Sequence, residues 1–250
     1  MTYLIDTHAH IDMLDSPDEA IINAKNNNVL KIIVPGVEVS SVEKLLELKN
    51  KYDNVFIQLG IHPSEAKTWD DSFSEIIRKN RDKICAVGEI GLDYYWDTTF
   101  NDIQKEVFIK QIQLANELEL PIVVHDRDAH KDTFDILVEY NKCSDVVMHC
   151  FSGSVEFAKE CVKKGWYLAL GGVVTFKNAI KMKEVAKVIT LDKLLLETDS
   201  PYLTPVPYRG KPNEPAYTRF VAEEIAKIKG INFNEVAEIT TLNAENIFRI

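Results

Sequence analysis

The feature that most restricts how this chain can fold is an alternation. Short aliphatic or β-branched runs return eight times, at residues 3–5, 30–34, 55–59, 84–87, 122–124, 146–148, 166–170 and 194–196. Each is nearly continuous in hydrophobicity, as a strand buried on both faces must be. Between them lie stretches with apolar residues at helical spacing, at 40–52, 101–118, 154–164, 178–188 and 216–229. Another helix starts at Ser16-Pro17-Asp18-Glu19, with a Ser cap, Pro in the first turn and acids near the positive helix end. Strand–helix alternation repeated eight times favours a closed parallel barrel over an open doubly wound sheet. About 250 residues suit one such barrel. The expected fold is therefore α/β: a single (β/α)₈ TIM-barrel domain over residues 1–250, with residues 233–250 forming one or two extra C-terminal helices on the outside.

Composition narrows the function classes. The chain is 46% hydrophobic and 27% charged, an ordinary globular balance. Four scattered cysteines (Cys85, Cys143, Cys150, Cys161) without a CxxC pair read as reduced thiols in a cytoplasmic protein. The start MTYLIDTHAH has no basic segment or long apolar run, so no secretion signal is expected. No run of about 18 apolar residues occurs, so no membrane span is expected. The formal charge of −10 argues against sequence-independent binding along a duplex. It leaves room for a nucleic-acid end in a small metal-lined pocket, where bound cations dominate the local charge. A monomer is expected.

The rare polar residues fall where the runs end. His8 and His10 follow the first, Glu89 the fourth, His125 the fifth, His149 the sixth and Asp199 the eighth. In a barrel these are C-terminal strand ends, the face where active sites form. His8 and His10, two apart on an extended chain, point to one side and can grip one ion. Four imidazoles and two carboxylates exceed the needs of one tetrahedral zinc. They suit two divalent ions about 3.5–4 Å apart, with Glu89 sharing its two oxygens. Imidazole and carboxylate ligands fit Zn, Mn, Ni, Co or Mg.

The sequence resembles the TatD-type metal-dependent deoxyribonucleases of the amidohydrolase-like superfamily. The resemblance runs through the whole chain: Ile5-Asp6-Thr7-His8-Ala9-His10, Gly60-Ile61-His62-Pro63, Gly88-Glu89-Ile90-Gly91-Leu92-Asp93-Tyr94-Tyr95, Pro121 to His125, His149-Cys150-Phe151-Ser152-Gly153, Glu197 to Leu203, and Pro207 to Pro215. It implies a TIM barrel with two ions. His8, His10 and Asp199 would bind one, His125 and His149 the other, and Glu89 would bridge them. It also implies hydrolysis of ester bonds, chiefly in DNA and often from the 3′ end. The chain departs from the family pattern at Asp126, where Ser is usual, and at Ser64, where a second His is common. Both departures bear on substrate preference.

The expected mechanism is attack on phosphorus by a water that two ions acidify, with Asp199 as candidate proton acceptor. His62, Arg127, Lys177, Arg209 and Lys211 are the candidate contacts to a phosphate. Tyr94, Tyr95, Trp96, Phe151, Tyr202 and Tyr208 are candidates to stack on bases. Two other readings share the residues. One keeps the site for a carboxylic ester, lactone or amide such as an aminoacyl-tRNA. The other is a metal-stabilised, non-enzymatic nucleotide-binding barrel.

Overall fold

The computed structural model describes residues 2–142 and 145–250; Cys143 lies outside them. The described residues form strands β1 (Leu4–Asp6), β2 (Val29–Pro35), β3 (Val55–Leu59), β4 (Ile84–Asp93), β5 (Ile122–Arg127), β6 (Val146–Met148), β7 (Tyr167–Leu170) and β8 (Leu194–Leu196). They make one sheet in sequential order, and the described strand pairs are parallel. A helix follows each strand: α1 (Pro17–Asn26), α2 (Val42–Lys51), α3 (Ser72–Lys79), α4 (Asn101–Leu118), α5 (His130–Tyr140), α6 (Val155–Lys163), α7 (Ile180–Val188) and α8 (Thr218–Lys229). The backbone N–H and hydroxyl of Thr7 both donate to the Leu196 carbonyl, at 3.0 and 2.9 Å, bringing β8 back against β1. This is the expected (β/α)₈ barrel.

The elements depart from the sequence reading in two places. Helices α3 and α5 bury only Phe73 and Ile77, and Thr133 and Leu137. Helix α3 is only eight residues long, and the buried pair of α5 is half polar. The fourth strand does not stop at Val87 but runs on to Asp93, with all ten residues buried; a register irregularity between Val87 and Ile90 carries it past Glu89. The tail forms one helix, α9 (Phe233–Phe248), within the one or two expected. Its Thr241 hydroxyl donates to Tyr3 O at 2.8 Å. Its Asn243 amide donates to the carbonyls of Leu191 and Leu194 at 2.7 and 2.9 Å.

The chain divides into two compact units, Met1–Val34 with Cys150–Ile250, and Pro35–His149. In the second, α4 does more than cover strands. Gln104 and Gln111, seven residues apart and so on one helix face, are both buried. The Gln104 amide accepts from Asp93 N–H at 2.9 Å and donates to Asp93 O at 3.0 Å. Gln111 does the same to Ile61, at 2.7 and 3.0 Å. Each amide thus binds both backbone groups of one residue, Asp93 at the end of β4 and Ile61 just past β3. Replacing Gln111 by Leu is therefore expected to destabilise the protein by about 2–4 kcal/mol in urea unfolding. A loss below about 1 kcal/mol would mean that water replaces the amide at no cost.

Candidate metal centre

Two clusters of ligating side chains form, one in each unit. In the first unit, His8, His10 and Asp199 offer ligand atoms within 4.8 Å of one another. His10 Nε2 lies 3.6 Å from Asp199 Oδ1, and the two imidazoles meet edge to face at 5.1 Å between centroids. Backbone pairing sets this geometry. Asp199 N–H donates to His8 O at 2.9 Å, and His10 N–H to Ser200 O at 2.9 Å. Asp199 sits at φ 56°, a left-handed conformation that costs a non-glycine residue roughly 1 kcal/mol or more.

Asp6 braces this cluster from below. Its Oδ1 accepts from Thr198 N–H at 2.9 Å and His8 N–H at 3.3 Å, and its Oδ2 from the Thr198 hydroxyl at 2.6 Å. One carboxylate thus joins the backbone of a candidate ligand to the residue before another. Complete burial pushes its pKa up to about 8, against the pull of the Thr198 and His8 hydrogen bonds. The folded protein then holds a proton that the unfolded chain releases near 3.8. Stability relative to Asp6→Asn should therefore fall as pH rises from 3.8 towards about 8. Denaturant unfolding of both proteins across that range checks the sign; a difference independent of pH would show that Asp6 stays ionised.

The second unit centres on Glu89, which is 3% exposed. Its Oε1 lies 2.8 Å from His125 Nδ1, 3.2 Å from His149 Nε2 and 3.5 Å from His62 Nε2. His125 Nε2 in turn lies 3.0 Å from Asp93 Oδ2. Gly91 makes room for this arrangement: a Cβ there would stand 2.0 Å from the His125 carbonyl oxygen. The Asp93 side chain was not singled out from sequence. Residues 89, 91 and 93 of an extended strand share a face, a signal legible only once β4 is read on past Val87.

The imidazoles of this cluster are not alike. Burial, then the neighbouring His125, lowers the His62 pKa to about 3, so the ring is neutral. Its Nδ1 accepts the Ser64 backbone N–H at 3.1 Å, which leaves the ring's proton on Nε2, facing Glu89. In that tautomer His62 offers the cluster an N–H rather than a lone pair. Burial alone would lower His125, but hydrogen bonds to Asp93 and Glu89 carry it up to about 9. A cation ligated by His125 must displace that proton. Metal uptake by chelated protein should release protons, and apparent affinity should weaken by about tenfold for each pH unit below about 9. An affinity flat from about pH 7 to about pH 9 would exclude His125 from the ligand set.

The cationic residues expected near a phosphate are placed differently from one another. Arg127 ends β5, two residues past His125. Lys177 is exposed, with no described hydrogen bond or ion pair fixing it. Arg209 packs its guanidinium 4.0 Å from the Phe176 ring centroid and donates to Thr204 O at 3.2 Å. Lys211 lies 5.6 Å from the Tyr208 ring, which stacks on Tyr217. Arg209 and Lys211 are thus engaged in ordering their own loop. Its buried Asn213, also not singled out, donates to the carbonyls of Thr198 and Tyr202 at 2.8 and 2.6 Å. No helix among the described residues is long and apolar enough to cross a membrane.

Clustered imidazoles and carboxylates at the C-terminal ends of parallel barrel strands define the class as metal-dependent hydrolases. A family model described as TatD related DNase matches residues 5–249. The chain is 47% identical over 253 residues to an uncharacterized metal-dependent hydrolase, YabD, of Bacillus subtilis, covering 99% of each chain. It is 38% identical over 258 residues to another, YcfH of Escherichia coli, across 99% of this chain and 96% of that one. Among solved structures, YjjV, a TatD homolog from Escherichia coli, superposes with a TM-score of 0.92 at 30% identity, covering 99% of this chain and 98% of that one. The chain belongs to the TatD-related family of metal-dependent hydrolases.

Proposed function

We propose that the protein is a deoxyribonuclease that hydrolyses phosphodiester bonds at DNA ends, in the 3′ to 5′ direction, with two divalent cations. The observation that carries this reading is the pair of ligand-rich clusters, His8–His10–Asp199 and the imidazoles of His62, His125 and His149 around Glu89, in a family whose model is described as TatD related DNase. The donor chemistry fits: imidazole nitrogens and carboxylate oxygens suit Zn, Mn, Co, Ni or Mg. Glu89 is proposed as the carboxylate ligand of the second cluster.

Bound cations supply Lewis acidity, which lowers the pKa of water and offsets charge on the phosphate. The protein's part is to hold and to move protons. Asp93 keeps an N–H of His125 as its partner, which orients the ring and leaves the other nitrogen for ligation. Asp199 is proposed to take the proton of the attacking water. His62, with Nδ1 committed to Ser64, directs its Nε2–H into the cluster, where a phosphate oxygen can accept it.

Incubation of metal-loaded protein with end-labelled DNA tests the reading. Stepwise shortening from the 3′ end is expected, lost on chelation and reduced by about 10⁴-fold or more in Glu89→Ala. Metal analysis should show two ions in the wild type and one fewer in His10→Ala and in Glu89→Ala. Absence of cleavage with each of the five metals would end the nuclease reading.

A further inference from the structure

Beyond the Glu89 cluster, β4 and β5 end among three side chains that the hydrolytic chemistry leaves unused. Trp96 is 74% exposed and Tyr95 is 53% exposed. Their rings meet edge to face at 4.8 Å. Burial in the fold does not explain two large aromatic rings held in water at the end of an active-site strand. Arg127 completes the group. Its guanidinium lies 3.8 Å from the Tyr95 ring centroid and 5.4 Å from that of Trp96.

Arg127 has no carboxylate partner among the described residues. That is unexpected in a chain with 39 acidic residues against 29 Lys and Arg. The preceding carboxylate, Asp126, is turned to His130 Nδ1 at 2.7 Å and the Thr133 hydroxyl at 3.3 Å. A guanidinium lying on an aromatic face keeps its N–H edge open for an anion.

The group is tied to the metal cluster through one residue. Asp93 Oδ2 contacts His125 Nε2 at 3.0 Å, while its Oδ1 accepts the Tyr95 backbone N–H at 2.9 Å. Tyr94 N–H donates to Arg127 O at 2.9 Å, pairing the two strand ends. A flat apolar face and an unpaired guanidinium, set beside a candidate ligand, match the two parts of a nucleotide: a base that stacks and a phosphate that takes a forked hydrogen bond.

We propose that Tyr95, Trp96 and Arg127 form a nucleotide subsite, with the Trp96 indole stacking on a nucleobase and Arg127 binding the phosphate of the same nucleotide. The proposal rests on the phosphodiesterase reading for its place beside the chemistry. It goes beyond that reading in making recognition depend on the base as well as on the backbone.

Two probes separate base from phosphate: thymidine 5′-monophosphate and 2-deoxyribose 5-phosphate, titrated calorimetrically into metal-loaded protein. Thymidine 5′-monophosphate is expected to bind about tenfold to a hundredfold more tightly. Trp96→Ala should remove that gap, and Arg127→Ala should weaken both probes by about tenfold or more while keeping it. Equal binding of the two probes by the wild type, or a gap unchanged in Trp96→Ala, overturns the subsite. Hydrolysis of bis(p-nitrophenyl) phosphate, which carries no nucleobase, is followed in parallel. If it fails with every metal while the Trp96-dependent gap persists, the phosphodiesterase reading falls and the subsite stands. If it proceeds and the gap is absent, the subsite alone falls.

Discussion

Three imidazoles, from His62, His125 and His149, place a ring nitrogen within 3.5 Å of one oxygen of the buried Glu89 carboxylate. A carboxylate removed from water costs several kcal/mol unless charges or donors replace its hydration. The surrounding structure meets that demand in layers. His125 is held between Glu89 and Asp93, and the backbone of Asp93 is held by Gln104. Ser64 fixes the tautomer of His62, and Gln111 fixes the residue before it. Removing any outer layer would loosen an imidazole that the buried charge needs.

The same logic governs the His8–His10–Asp199 cluster, although its parts differ. There the supporting carboxylate is Asp6, which accepts three hydrogen bonds in full burial. The strained backbone of Asp199 is held by pairing to His8 and by the Asn213 amide, which anchors the returning loop to the carbonyl of Thr198. Both clusters are therefore preorganised by polar groups that touch no candidate substrate. Arg209 and Lys211 illustrate the opposite case: cations in a suggestive loop whose described contacts keep that loop folded.

Much of this was legible in the residues. The eight apolar runs announce the barrel because strands buried on both faces need unbroken hydrophobicity. His8, His10, Glu89, His125, His149 and Asp199 stand out because uncommon metal-competent residues recur where those runs end. Helix α3, eight residues long, and α5, whose buried pair Thr133 and Leu137 is half polar, were not read from the sequence. The extension of β4 to Asp93 was hidden by a register irregularity that spacing does not report.

By itself, then, the sequence determined which residue types reach the ends of which strands, since periodicity and burial are local and leave a local trace. Tertiary structure decided what those residues do to one another. Whether His125 is an imidazolium and His62 a neutral donor depends on carboxylates, a serine amide and degrees of burial contributed by distant segments. Likewise, Arg127 lies on the Tyr95 ring while the adjacent Asp126 contacts His130. Protonation and pairing are set by distances of a few ångström between groups far apart in the chain. No spacing rule along one strand contains that information.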